Sequence, residues 1–315
     1  MGAEAWRPST LWPTGAGSGR GADRGRTPAA GGRHDAATME SVTGRGSKGR
    51  GPTVAWIAVT PVKGLRLQHR ERVELTEAGV LGDRAFFLVD ERGHLVNGKH
   101  LGPLLAVVAD HDPEAGRLAL RFPAGREVAA RVELGTPLEV RFFGREMRAR
   151  SVEGPFSAAI SEHCGRALRL VATPPGRPGV DRGARGAVTL LSLASLERLR
   201  AEAGEADPVD PRRFRMTLLV DGLAAHEEDA WVGAEVRVGE AILRGEGHVG
   251  RCAVTTRNAD TGAVDFETLR HLGSYRDSLQ ATEPLPFGIH LRVLRPGTVR
   301  LGDPIAVLRL GSPVR

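Results

Sequence analysis

From residue 54 onward, short apolar runs alternate with turn residues. Val54–Thr60 is apolar and β-branched and predicts a first strand, which ends at Pro61-Val62-Lys63-Gly64. Glu71–Leu75 alternates with period two and turns at Glu77-Ala78-Gly79. Arg84–Asp90 predicts a further strand, followed by Leu104–Asp110, Leu118–Phe122, Glu127–Leu134 and Leu138–Phe143. Phe156–Cys164 has helical spacing and ends near Gly165, and Leu168–Ala172 predicts a strand. After a Pro/Gly/Arg loop over 174–185, Val188–Leu191 predicts a strand, and Ser192 an N-cap for a helix to about Ala203. Arg215–Val220, a hairpin of Glu235–Val238 and Glu240–Leu243, Arg251–Thr256, His290–Leu294 and Ile305–Leu308 predict the remaining strands, with a short helix over Phe266–Leu272.

Short strands at this spacing predict a mainly β chain with a few helices, built as a barrel or sandwich. A boundary falls in the 174–185 loop, giving segments 53–172 and 173–315. Residues 1–52 are rich in Gly, Arg, Ala and Ser and poor in aliphatic residues, which predicts a disordered tail or a start of translation at Met39.

Charge follows the same division. The chain holds 44 basic and 38 acidic residues, a net +6. Residues 1–52 contribute eight basic and four acidic residues, so the longer part is close to neutral. That argues against a nucleic-acid surface on the folded part. An Arg/Gly segment near 44–51 has no aromatic residues between its basic ones, so it lacks stacking partners for RNA. No apolar run reaches the roughly 20 residues of a membrane span. Two cysteines, Cys164 and Cys252, cannot form a disulfide framework, and a cytoplasmic location is expected.

Cys252 is the first candidate for chemistry. It lies in Gly250-Arg251-Cys252-Ala253-Val254-Thr255-Thr256, where an adjacent Arg favours the thiolate. The competing reading is a small buried hydrophobe. One thiolate is too few for zinc, but suffices as the protein ligand of a metal held mainly by an organic cofactor. Lys63, Arg84 and Arg215 stand at ends of predicted strands, where barrels place sites, and cations there can grip a phosphate. The competing reading pairs Arg84 with Asp83 or Asp90 and leaves Arg215 among solvated charges near Arg212 and Arg213; spacing alone favours it. Cys164 sits among Ala158, Ala159 and Ile160 as a packing residue. His100, His226, His248 and His290 have no metal-ligand spacing, and no Walker loop, dinucleotide fingerprint or Gly-x-Ser-x-Gly occurs.

Taken together, these segments resemble the MOSC family, named for the C-terminal domain of molybdenum cofactor sulfurase, in its two-part form with an N-terminal β-barrel domain. The resemblance runs through Pro61-Val62-Lys63-Gly64, Gly79-Val80-Leu81-Gly82-Asp83-Arg84, Leu191-Ser192-Leu193-Ala194-Ser195-Leu196, Arg213-Phe214-Arg215 and Trp231-Val232-Gly233. Its most specific part is Arg251-Cys252-Ala253-Val254-Thr255-Thr256 with Asp260-Thr261-Gly262, and it closes at Pro296-Gly297 and Gly302-Asp303-Pro304. It implies a β-barrel-like core with a smaller N-terminal barrel, and the molybdenum cofactor bound as Mo-molybdopterin. Cys252 is then the protein ligand to molybdenum, with Lys63, Gly64, Arg84, Arg215, Thr217 and Arg251 around the cofactor.

The activity implied is reduction of N-hydroxylated or N-oxide compounds. No pyridoxal phosphate domain and no ferredoxin-type Cys run is seen, so electrons are expected from a separate ferredoxin- or flavin/cytochrome-type donor. Three departures stand out. Gly64 replaces a frequent Ser, Met216-Thr217 replace Pro-Asn (Thr217 keeps a hydroxyl), and Asn97-Gly98-Lys99 replace Thr-x-Arg-Gln. The alternatives are a sulfur carrier using a Cys252 persulfide, and a β-barrel binding module whose tail attaches to RNA.

Overall fold

A computed structural model describes residues 51–174 and 183–309. Residues 1–50 of the expected tail and most of the 174–185 loop lie outside the described residues.

Eight strands form the largest sheet, in the order Ile305–Arg309, Glu235–Val238, Ala241–Gly250, Pro286–Arg295, Val188–Ser192, Leu218–Asp221, Thr53–Val59, Gln68–His69. Only Val188–Ser192 and Leu218–Asp221 run parallel within it. Period-two alternation assigns its faces. Leu190, Leu218 and Ile289 join Ile57, Val236 and Leu243 in one core. Their chain neighbours Leu191 and Leu219 join Leu196, Leu199, Leu272 and Phe287 in a second. That second face is covered by helices Leu193–Ala203 and Thr268–Arg276. Each such side chain, removed from water, contributes on the order of 1.5–3 kcal/mol.

A five-stranded sheet takes the order Leu134–Phe142, Arg145–Val152, Arg169–Ala172, Phe86–Val89, Leu95–Val96. Helix Phe156–Cys164 and a three-stranded sheet (Val108–Asp112, Arg117–Arg121, Glu127–Arg131) complete this half. Among the described residues there are three α-helices, and none is long and apolar enough to cross a membrane. The structure is thus mainly β with a few helices.

The sheets do not follow the chain in a line. Thr53–Val59 pairs with Leu218–Asp221, and Arg72–Thr76 pairs with Gly297–Arg300, so early strands lie among late ones. The chain therefore crosses between the two halves at residues 60–66 and again at 81–86. The Lys63 N–H donates to the Phe86 carbonyl (2.7 Å), and the Arg84 N–H to the Thr60 carbonyl (2.7 Å). These crossings put Lys63 and Arg84 on the seam.

Several expected elements are displaced, each for a local reason. Arg251–Thr256 is not a strand. The long strand Ala241–Gly250 ends before it, and Ala253–Thr256 forms a 3₁₀ turn with Cys252 as N-cap. The Thr255 and Thr256 hydroxyls donate back to the Cys252 and Ala253 carbonyls (3.0 and 2.8 Å), which curls the chain. Leu104–Asp110 divides into a 3₁₀ turn over Gly102–Ala106, initiated by Pro103, and a strand over Val108–Asp112. Arg84 and Arg215 precede their strands, which start at Phe86 and Leu218, because both adopt the left-handed conformation (φ 49° and 55°). The last helix runs Thr268–Arg276 rather than Phe266–Leu272. Ser192 caps its helix as expected, its Oγ accepting from the Ala194 N–H at 3.1 Å.

Candidate functional site

On the seam lies a cleft of about 310 Å³. Its lining includes Lys63, Gly64, Arg84, Arg215, Thr217, Arg251 and Cys252, so the fold brings to one cleft every residue that the resemblance sets around the cofactor and metal. Asn97, Phe143, Thr189, Phe214 and Met216 line it as well.

Cys252 is exposed and stands just past the end of the long strand Ala241–Gly250, where its carbonyl anchors the following 3₁₀ turn. The packing reading is thereby excluded for Cys252. It fits Cys164, which is half-buried on its helix with its thiol pushed up to about 11 by desolvation. Among the described residues, no group of three His, Cys, Asp or Glu side chains is placed to hold a metal. A metal at Cys252 therefore needs ligands that a bound molecule supplies.

Two guanidiniums form the floor of the cleft. Arg84 is buried, pairs with Asp83, and donates from Nη2 to the Arg215 carbonyl (3.1 Å). Arg215 donates from Nη2 to the Leu65 carbonyl (2.7 Å). Asp83 is itself fixed, its Oδ1 accepting from the Thr60 N–H at 2.8 Å. Desolvation pulls the Arg215 pKa down to about 9; Arg84 adds to the fall and Asp83 opposes it. One carboxylate thus faces two guanidiniums in a poorly solvated floor, and the excess positive charge is what an anion would relieve. Lys63 adds a third cation, its Nζ lying 5.5 Å from the Phe142 ring centre and 5.1 Å from that of Phe143.

Both halves of the competing reading meet the structure here. Arg84 does pair with Asp83, yet the pair lines the cleft. Arg215 is not one of several solvated charges: Arg212 is buried against Asp210 and Asp260, and Arg213 pairs with Asp265 (2.6 Å). Arg84 and Arg215 hold φ values that disfavour non-glycine residues, and so does Phe143. Backbone strain retained at three positions of one cleft marks a site that the surrounding structure holds in place.

Arg251 and Thr217 are turned into the body of the protein. The Arg251 guanidinium donates to the Phe214 carbonyl (2.9 Å) and the Phe287 carbonyl, reaches the Met216 sulfur (3.0 Å), and lies over the Phe214 and Phe287 rings. It ties the segment carrying Cys252 to the segment carrying Arg215. The Thr217 hydroxyl faces that of Thr189 at 3.3 Å across the parallel strands and accepts from the Thr189 N–H (3.3 Å).

Gly64 explains two departures at once. It has φ 92°, and a Cβ there would stand 3.0 Å from Asn97 Cα and 3.3 Å from Gly98 N. Gly64 and Asn97-Gly98 are therefore one contact, in which a side chain at 64 would press on the present course of 97–98 and strain its own positive φ.

A second set of residues, of which the sequence singled out only the Asp260-Thr261-Gly262 turn, clamps the halves together. Arg66 reaches both the carbonyl and the carboxylate of Asp260 (3.0 and 3.1 Å), and Arg212 grips the same carboxylate. Gly262 and Gly102 meet backbone to backbone, so closely that a Cβ on either would overlap the other. The Asp260-Thr261-Gly262 turn thus works as a fastener beside the cleft. Its sequence signal was visible, but its partners, Arg66 and Gly102, lie more than 150 residues away.

A β-rich, two-part chain with one exposed thiol and a cationic floor at its seam is matched by two domain families. The MOSC N-terminal beta barrel domain matches residues 51–165, and the MOSC domain matches residues 178–306. The chain belongs to the MOSC family in its two-part form. Among curated relatives, it is 26% identical to mitochondrial amidoxime reducing component 2 of Bos taurus over 281 residues, 80% of this chain and 82% of that protein. It is 33% identical to mitochondrial amidoxime-reducing component 1 of Homo sapiens over 102 residues, 30% of this chain and 29% of that one. Of solved structures, the YuaD protein from Bacillus subtilis overlaps 81% of this chain and 93% of its own at 13% identity, with a TM-score of 0.38.

Proposed function

We propose that this protein binds the molybdenum cofactor in the seam cleft and reduces N-hydroxylated or N-oxide compounds with electrons from a separate donor protein. One observation carries the reading: the exposed Cys252 thiol shares a cleft with the paired guanidiniums of Arg84 and Arg215. That donor set fits the group, offering a soft thiolate for the metal and fixed cations for a phosphate. The names of the amidoxime-reducing relatives support the substrate class.

The bound molybdenum would supply two-electron redox chemistry and a Lewis-acid centre. Cys252 would hold the metal from the protein side. Arg84, Arg215 and Lys63 would take the anionic end of the cofactor, with Asp83 fixing the direction of the Arg84 guanidinium. Arg251 is a positioning residue, keeping the Cys252 turn at a constant distance from the guanidinium floor. Thr217 holds Thr189, and through it the cleft wall.

The deciding measurement is molybdenum and pterin per chain in protein from a molybdenum-sufficient host. Near-stoichiometric content, lost in Cys252→Ala and lowered in Arg84→Met, is expected. Protein that is empty and carries a sulfane-sulfur adduct on Cys252 would instead identify a sulfur carrier, for which an exposed thiol is equally suited. Where cofactor is present, reduction of a simple amidoxime by an artificial donor tests the activity.

A further inference from the structure

The hairpin joining Leu134–Phe142 to Arg145–Val152 has a two-residue turn, Phe143-Gly144, closed by the pair Phe142–Arg145. Both turn residues have positive φ, 49° and 79°. Such turns favour Asn, Asp or Gly at their first central position, since a bulky side chain there meets the backbone. A phenylalanine is among the least suited residues.

Packing does not account for it. Phe143 is 47% exposed, and the space over Gly144 is open, with nothing within 4 Å of where a Cβ would stand. The ring is nevertheless held in one place. It stands edge-on to Phe142 (5.1 Å, 86°), which is buried and stands edge-on to Phe87 in turn (5.1 Å, 77°). Lys63 Nζ lies 5.1 Å from the Phe143 ring centre. A strained, half-exposed and anchored aromatic side chain thus lines the cleft that holds Cys252 and Arg215.

We propose that Phe143 is a specificity-determining residue: a fixed aromatic platform that favours substrates with a planar aromatic group over aliphatic ones of the same reactive class. The proposal rests on the reductase reading for the reactive class alone. The platform itself follows from the turn. An offset-stacked or edge-on ring contact of this kind corresponds to a binding preference of about three- to tenfold.

The test uses the cofactor-loaded full chain, with benzamidoxime and acetamidoxime as probes and Phe143→Asn and Phe143→Trp as variants. In the wild type, benzamidoxime is expected to show the lower KM. In Phe143→Asn the ratio of the two KM values should collapse toward one, and Phe143→Trp should restore it. Because Asn suits the turn, Tm of Phe143→Asn should hold or rise. An unchanged KM ratio in Phe143→Asn, or a Tm several degrees lower, overturns the proposal; the latter would make Phe143 a packing residue. If the wild type reduces neither probe, the reductase reading fails on its own. Calorimetric binding of benzamidoxime then decides the platform, with equal affinity in wild type and Phe143→Asn counting against it.

Discussion

Replacing Arg215 by Met should make the empty protein more stable and at the same time end its response to anions. The Arg215 pKa is pulled from the ordinary arginine range to about 9 by desolvation and by Arg84. At neutral pH the side chain is charged in both the folded and unfolded chain, so the whole mismatch weighs against folding; it fades only as pH rises past 9. At about 1.36 kcal/mol per pH unit, the ceiling is roughly 5 kcal/mol. Against this stands the hydrogen bond to the Leu65 carbonyl, worth about 1.5–3 kcal/mol with a charged donor. Methionine keeps most of the apolar stem in place. Allowing for relaxation around the charge, the net gain is about 1–2 kcal/mol, or roughly 2–8 °C in Tm for a chain of this size. Inorganic phosphate should raise the wild-type Tm, since occupancy at a hundred times Kd contributes about 2.7 kcal/mol. In Arg215→Met that rise should vanish. The assay is thermal melting of protein from a host that makes no molybdopterin, with and without phosphate. A variant that melts several degrees lower, or one that still responds to phosphate like the wild type, would refute the idea that the floor is held in charge excess for an anion.

Three further outcomes follow from single contacts. Gly64→Ser should lower Tm by a few degrees, because a side chain there strains φ 92° and presses on Asn97 and Gly98; pairing it with changes at 97–98 should recover part of the loss. Gly262→Ala should cost at least about 2 kcal/mol, since its Cβ would overlap the Gly102 carbonyl, and limited proteolysis should then cut near the seam. The third concerns His226, which lies between the rings of Tyr275 and Phe287; desolvation first, then Arg276, brings its pKa down to about 4. The unfolded chain therefore binds the extra proton between pH 6.5 and 4, and stability should fall as pH drops through that window. Melting curves of His226→Phe should show a shallower fall, and an unchanged slope would place the titration elsewhere.

Much of the architecture could be read from the order of residues. Alternation in Glu71–Leu75 marked a strand because a pleated backbone turns successive side chains to opposite faces. The Ser192 cap and the Gly165 terminus marked helix ends because those residues satisfy, or permit, the geometry of unpaired backbone groups. Cys252, Lys63, Arg84 and Arg215 were nameable as candidates too, but by spacing Arg84 and Arg215 were ordinary charges, and only the resemblance gave them a shared role. Their left-handed conformations could not be foreseen, since propensity argues against them and only the surrounding contacts impose them. Arg251 looked like a group acting on its neighbour Cys252, whereas its guanidinium reaches Phe214 and Phe287. The sequence by itself determined most of the strands and which cations are at hand, but it read the segment around Cys252 as a strand where the structure makes a turn. Only the tertiary structure decided that cations 131 residues apart share one floor. The reason is physical: a charge's meaning depends on what removes its water and which charges stand beside it, and both are set by chain crossings that no local pattern encodes.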